Sequence, residues 1–191
     1  MEQNYFEDKI FEKINFSKVP LSIGEYENCQ FKNCEFTNAD LTEFQFIDCK
    51  FSDCNLSLAI LVDTAFRDIK FENCKLLGLH FENCNLFGLS FNFYNCLLND
   101  TTFYKLKLKK TVFSDCQIQN VDFAECDLSA ANFNNCDLLR ANFDQTNLVQ
   151  ADFRTAFNYI IDPEYNKIKK AKFSTSGLQG LLAKYDIVIE K

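Results

Sequence analysis

The chain has 191 residues and a formal net charge of -7, which argues against direct nucleic-acid binding, since phosphate contacts need a dominant basic surface. It carries 22 Phe and 10 Cys but no Trp, one His, two Pro and five Gly, which leaves little room for long loops. No apolar stretch reaches membrane-spanning length, and the size suits one domain or one elongated solenoid.

The opening MEQNYFEDKIFEKINF is acidic and broken by charges, unlike the basic start and apolar run of a signal peptide. A soluble cytoplasmic protein is therefore expected, with its cysteines kept as thiols. Phe6, Phe11 and Phe16 are spaced by five residues, yet Lys9 stands where a small residue would be needed. Residues 1–25 are accordingly expected to form an irregular capping lap, protecting an end that would otherwise expose unpaired backbone.

From Tyr26 to Phe91 each fifth residue is Phe, Leu or Tyr, 14 in succession. After a slip of two residues, placed between Phe91 and Leu98, the track resumes at Leu98 and runs to Phe153 with 12 more. All ten cysteines (29, 34, 49, 54, 74, 84, 96, 116, 126, 136) lie two residues before a track residue, in a slot shared with Ala39, Ala59, Thr64, Ala131, Ala141 and Ala151. Two inward positions in five fit neither the helical period of 3.6 nor the strand period of 2. The other three positions are rich in Asn, Asp, Glu, Ser, Gln and Lys and must face water.

This pattern resembles the pentapeptide-repeat family over about residues 26–153. The resemblance implies an all-β fold, a right-handed quadrilateral parallel β-helix with 20 residues per lap. Stacking at that period gives one ladder of Phe31, Phe51, Phe71, Phe91, Phe113, Phe133 and Phe153. The next side carries Cys34, Cys54, Cys74, Cys96, Cys116 and Cys136. At the strand spacing of roughly 4.8 Å, about seven laps make a rod on the order of 35 Å long.

Residues 154–175 depart from the consensus but return Phe173 to phase, forming an irregular last lap. Beyond it Ser176 can cap a short α-helix with Leu178, Leu181 and Leu182 on one face, and Ile187, Val188 and Ile189 could form a last strand. In the Qnr and MfpA subgroup a similar C-terminal helix joins two rods. The resemblance therefore offers dimerisation through Leu178, Leu181, Leu182, Tyr185, Ile187 and Ile189, against simple capping of the column.

The stacked cysteines have no nearby His and no CxxC pair, so they read as small apolar filler rather than a metal or redox site. In-register side chains point in parallel, which disfavours disulfides between laps. His80 is expected on the surface, and no catalytic triad, phosphate loop, cofactor motif or metal motif accompanies it, so no enzyme is expected. Function is left to the outer surface. The side through Leu41, Leu61, Phe81, Phe103, Phe123 and Phe143 carries Asp40, Glu43, Asp63, Glu82, Asp122, Glu125 and Asp144, interrupted by Lys105. Lys105–Lys110 and Lys167–Lys172 form two basic clusters near one side.

Two function classes follow. One is a protein-interaction scaffold, with outward Leu77, Leu97 and Leu139 as a docking strip. The other is implied by the resemblance to Qnr and MfpA proteins: an acidic rod that imitates DNA and binds DNA gyrase, modulating quinolone sensitivity.

Overall fold

The computed structural model describes residues 4–188 and 190. The chain is a quadrilateral parallel β-helix, and its geometry begins at the corners. The residue two places after nearly every track residue from Tyr26 to Leu148 takes a positive φ, as at Asn28, Asn33, Asn38 and Glu43 on four successive sides; after Phe81 a 3-10 turn, Phe81–Asn83, makes the corner instead. Asn and Asp tolerate this left-handed region better than other side chains, which explains their abundance at that position. Gly78 sits directly on Leu58, where a Cβ would stand 2.8 Å from the end of the Leu58 side chain, and its positive φ suits glycine.

Each lap lies on the next with parallel pairing. One side is a nine-stranded sheet running from Ile10–Glu12 through Gln30–Lys32, Lys50–Ser52, Ile69–Glu72, Phe91–Tyr94, Val112–Ser114, Asn132–Asn134 and Asp152–Phe153 to Lys172–Phe173. The preceding side carries a four-stranded sheet through Asn4–Glu7, Gly24–Glu27, Gln45–Ile47 and Ala65–Arg67. The remaining sides are joined by single bridges such as Asn55↔Lys75 and Asp122↔Asn142. In chain order the sides through Tyr26, Phe31, Phe36 and Leu41 are called the first to fourth faces.

The core is a column of stacked rings. Along the second face Phe11, Phe31, Phe51, Phe71, Phe93, Phe113, Phe133, Phe153 and Phe173 follow one another with centroids 4.7–5.4 Å apart. Such pairs contribute about 0.5–1.5 kcal/mol each beyond their burial. The small-residue slot has its own logic. Cys54 Sγ lies 3.3 Å from the carbonyls of Phe31 and Ser52, while Thr64 and Thr146 donate to Leu41 and Phe123 at 2.7 and 2.8 Å. The slot thus favours a compact side chain with a donor for a carbonyl of the neighbouring lap. All ten cysteines are free and buried, and burial pushes the thiols of Cys49 and Cys126 up to about 12. These two are thiols at neutral pH, the unreactive form.

The structure moves the two-residue slip. Phe93, not Phe91, stacks between Phe71 and Phe113, and Ile69 pairs with Phe91. Asn85 still keeps the 20-residue register with Ala65, so the extra residues lie between positions 85 and 91, one corner earlier than expected. There Leu86 leaves the track and is 61 % exposed. Its place is filled from the side: Phe91 occupies a normally small slot, and its ring packs 5.1 Å from both Phe81 and Phe93. One oversized slot residue offsets one ejected track residue.

The first lap is more regular than expected. Asn4–Glu7 and Ile10–Glu12 pair in register with Gly24–Glu27 and Gln30–Lys32, and Asn15 bridges Glu35. Irregularity is confined to residues 17–23. Lys9 is tolerated because its side chain turns to solvent while its carbonyl accepts a bond from Gln30 N at 2.8 Å. In the last lap the third face keeps its register at Asp137↔Phe157, the fourth departs from it, and the first and second resume it at Lys167 and Lys172. Tyr159 turns inward there against Phe153 and Phe173.

The C-terminal helix is a single α-turn, Gln179–Leu182, between 3-10 turns at Ser176–Leu178 and Ala183–Tyr185. Ser176 does not cap it; Ser174 Oγ accepts from Gly177 N at 3.1 Å instead. Gly180 is pressed onto Tyr159, whose carbonyl oxygen lies 2.2 Å from where a Cβ would stand. Leu181 packs against the core, Leu182 is half-buried, and Leu178, Tyr185 and Ile187 are exposed. Ile187 and Val188 form no strand, and Ile189 lies outside the described residues.

The shifted register separates two neighbouring phenylalanines. Phe91→Ala is expected to cost about 3–5 kcal/mol, and Phe87→Ala to stay within about 0.5 kcal/mol, as read from denaturant midpoints. Equal losses would refute the assignment. The burial of the slot predicts that no cysteine of the native protein reacts with a bulky thiol reagent at neutral pH, and that all ten titrate in denaturant without reductant. A shortfall in denaturant would reveal a disulfide.

Candidate functional site

The corner geometry sets three outward positions per side, and these build the fourth face. One column runs through Asp40, Ile60, His80, Thr102, Asp122 and Asn142, with Asp40↔Ile60, His80↔Thr102, Thr102↔Asp122 and Asp122↔Asn142 bridged. Beside it stand Thr42, Val62, Glu82, Tyr104, Ala124 and Asp144, and the corner carries Glu43, Asp63, Lys105 and Glu125. All seven carboxylates expected on this side are therefore brought to one face. Asp40, Glu43, Asp63, Glu125 and Asp144 are exposed, and Glu82 and Asp122 are half-buried.

They do not form an unbroken negative strip. Ile60 and Val62 are exposed among them. His80 Nδ1 is 2.9 Å from Glu82 Oε1. Lys105 pairs with Glu125 at 3.4 Å, and the Tyr104 hydroxyl donates to the same carboxylate at 2.8 Å. Asp122 accepts from Ala124 N at 3.0 Å and from Asn142 Nδ2 at 2.9 Å. Hydrogen bonds from Thr42 hold the Asp40 carboxyl below its ordinary range. The face is mixed: acidic at both ends, apolar and partly neutralised between.

The two lysine clusters lie chiefly on the first face. Lys107 and Lys167 occupy one column, separated by Asp127 and Asn147, and Lys105 and Lys172 sit on the flanking faces. Lys109 is 3.3 Å from Asp127. Leu77 and Leu97 share the third face in adjacent laps and are half-buried; Leu139 is exposed two laps further on, beyond Gln119 and Asp137, so no continuous apolar strip forms.

Sequence reasoning missed Leu86 and Phe87. It placed Leu86 in the core track, whereas both project from the first face. The available signal was the apolar excess of LFGLSFNF, where five bulky residues compete for three inward positions. A depression of about 480 Å³ on the first and second faces is lined by Ala130, Asn132, Gln150, Asp152, Lys170 and Lys172, mixing both signs of charge. Among the described residues no group of three or more His, Cys, Asp or Glu is placed to hold a metal ion, and no helix is long and apolar enough to cross a membrane.

Comparison with known proteins places this geometry. The chain is similar in structure to HetL of the cyanobacterium Nostoc, a pentapeptide repeat protein involved in heterocyst differentiation regulation, at 13 % identity and a TM-score of 0.53, over 90 % of this chain and 87 % of that one. A trypsin-treated variant of QnrB1, a plasmid-mediated fluoroquinolone resistance protein, aligns over the whole of both chains at 19 % identity with a TM-score of 0.49. No curated protein sequence matches the chain. The model of the pentapeptide repeat region matches residues 25–92 and 77–153, well over half the sequence, and with the five-residue track and the four-sided coil on view, this chain belongs to the pentapeptide-repeat family.

Proposed function

We propose that the chain is a non-enzymatic protein-interaction scaffold whose fourth face docks a basic protein surface. The observation that carries this reading is the gathering of Asp40, Glu43, Asp63, Glu82, Asp122, Glu125 and Asp144 on one face, with exposed Ile60 and Val62 among them. Carboxylates steer a basic partner and the apolar residues hold it. A second reading narrows the partner to DNA gyrase, with the same face standing in for the phosphates of a duplex. The shared face of the seven carboxylates supports it. The interruption by Ile60, Val62, His80 and Lys105 favours the broader reading, since a duplex offers no apolar or cationic counterpart.

The triple variant Asp122→Lys, Glu125→Lys, Asp144→Lys tests both. Affinity capture from cell extract is expected to lose its specific partners when the face is reversed; unchanged capture would overturn the docking role. In a supercoiling assay, gyrase inhibition by the natural chain that vanishes in the variant would support the narrower reading. No effect with the chain in large excess over enzyme would exclude it.

The C-terminal segment is proposed to close the rod, with a second copy joined there as the alternative. Lys184 Nζ lies 2.8 Å from both Asp162 Oδ1 and Glu164 Oε2, and the Tyr185 hydroxyl donates to Glu164 at 3.0 Å, so the segment is tied to its own last lap. Gly180→Ala drives a methyl into Tyr159 and is expected to cost about 1–3 kcal/mol, read as a fall in Tm of several degrees. Light scattering should give the same mass before and after. A halved mass would assign Leu178, Leu181, Leu182, Tyr185, Ile187 and Ile189 to a dimer contact instead.

A further inference from the structure

The bulge of the first face carries a second concentration of unusual surface, independent of the fourth face. Phe87 is 79 % exposed, yet it is held in place. Arg67 Nε donates to the Phe87 carbonyl at 3.2 Å, and the guanidinium carbon stands 5.4 Å from the ring centroid. An ordered ring presents apolar area with little left to immobilise on binding. Beside it a groove of about 260 Å³ runs between the bulge and the next lap, lined by Leu86, Gly88, Leu89, Lys105, Leu106 and Lys107. That volume falls below the roughly 300–1,000 Å³ of small-molecule sites. It has room for one apolar side chain.

The rim of the groove is cationic. Lys105 and Lys109 are engaged by Glu125 and Asp127, whereas Lys107 and Lys110 have no carboxylate within 4.0 Å among the described residues. Asp68, on the bulge side, accepts a bond of 2.9 Å from Ser90 Oγ. We propose that the bulge and groove dock an acidic protein segment bearing one apolar side chain. The apolar group seats among Leu86, Leu89 and Leu106, the exposed Phe87 ring beside the groove adds apolar contact, and the flanking carboxylates meet Lys107 and Lys110. Nucleic acid fits less well, because the apolar floor offers phosphates nothing and the chain as a whole is anionic. A second copy is the competing occupant, since Ile60 and Val62 stand beside Asp40, Glu43 and Asp63 on the fourth face.

The probe is a short fluorescent peptide with glutamates flanking one leucine, measured by anisotropy. Phe87→Ser and the double variant Lys107→Glu, Lys110→Glu are each expected to weaken binding by about tenfold or more, and rising salt should weaken it further. The fourth-face variant Asp122→Lys, Asp144→Lys, which leaves the Lys105–Glu125 pair intact, should bind the probe unchanged, which separates this site from the scaffold reading above. Equal binding of a peptide with lysines for glutamates, or with serine for leucine, would overturn the proposal. So would tighter binding of a single-stranded oligonucleotide. Dimers of the natural chain that dissociate in Phe87→Ser, seen by light scattering, would give the groove to a second copy.

Discussion

The left-handed residue that ends nearly every side is the constraint on which the rest of the molecule depends. Because Asn28, Asn33, Asn38 and Glu43 each turn the chain at positive φ, the chain changes direction every five residues. Each side therefore has two inward positions and one bulky track, and four sides bring the chain back over itself. Placing a non-glycine residue in that region costs roughly 1–2 kcal/mol. The corners offset part of this through side-chain ladders: Asn73 donates to Asp53, Asn95 to Asn73 and Asn135 to Asp115, at 2.8–3.1 Å. Net contributions of about 0.5–1.5 kcal/mol per bond are of the right size to matter. The corner residues thus join neighbouring laps as well as turning the chain.

Most of this was legible in the sequence because a period of five has few physical solutions. The cysteine slot was fixed by ten independent placements, and the structure keeps all ten buried. What the period could not locate was the slip. Phe91 and Phe93 are the same residue type two places apart, so counting by fives accepts either as the ladder member; only pairing with Phe71 and Phe113 decides for Phe93. The N-terminal lap was misjudged for a related reason. Lys9 violates the slot rule, but that rule reflects packing between two laps, and an end lap has a neighbour on one side only. In the fourth face, the sequence located the seven carboxylates but not their partners. The bonds from His80, Tyr104, Lys105 and Asn142 depend on residues two places away or a lap away, and these become visible only once the corners set side-chain direction.

Those partners change what the charge means. Asn and Asp share columns at several places, so a carboxylate commonly accepts from an amide in the adjacent lap, as Asp127 does from Asn147 at 3.0 Å and Asp100 from Asn120 at 3.0 Å. The formal charge of the chain is therefore spent in part on holding laps together. A face counted as acidic by residue type presents a weaker and more patterned field than the count implies. This is the physical ground for reading the fourth face as a surface that meets mixed protein chemistry rather than a row of phosphates.

A regular solenoid gives every lap nearly the same outer face, so specificity must come from what breaks the repeat. The bulge is the clearest such break inside the rod. The lattice is in register at Asn85 and again at Phe91, and the column of rings crosses the defect without a gap because Phe91 fills the volume that Leu86 vacates. The core is thus satisfied without any contribution from Leu86 or Phe87. Packing alone would be served as well by a shorter corner with a polar tip. An exposed ring held by Arg67, beside a groove edged by the unpaired Lys107, has no part in that packing, and its physical sense lies in contact with something outside the rod.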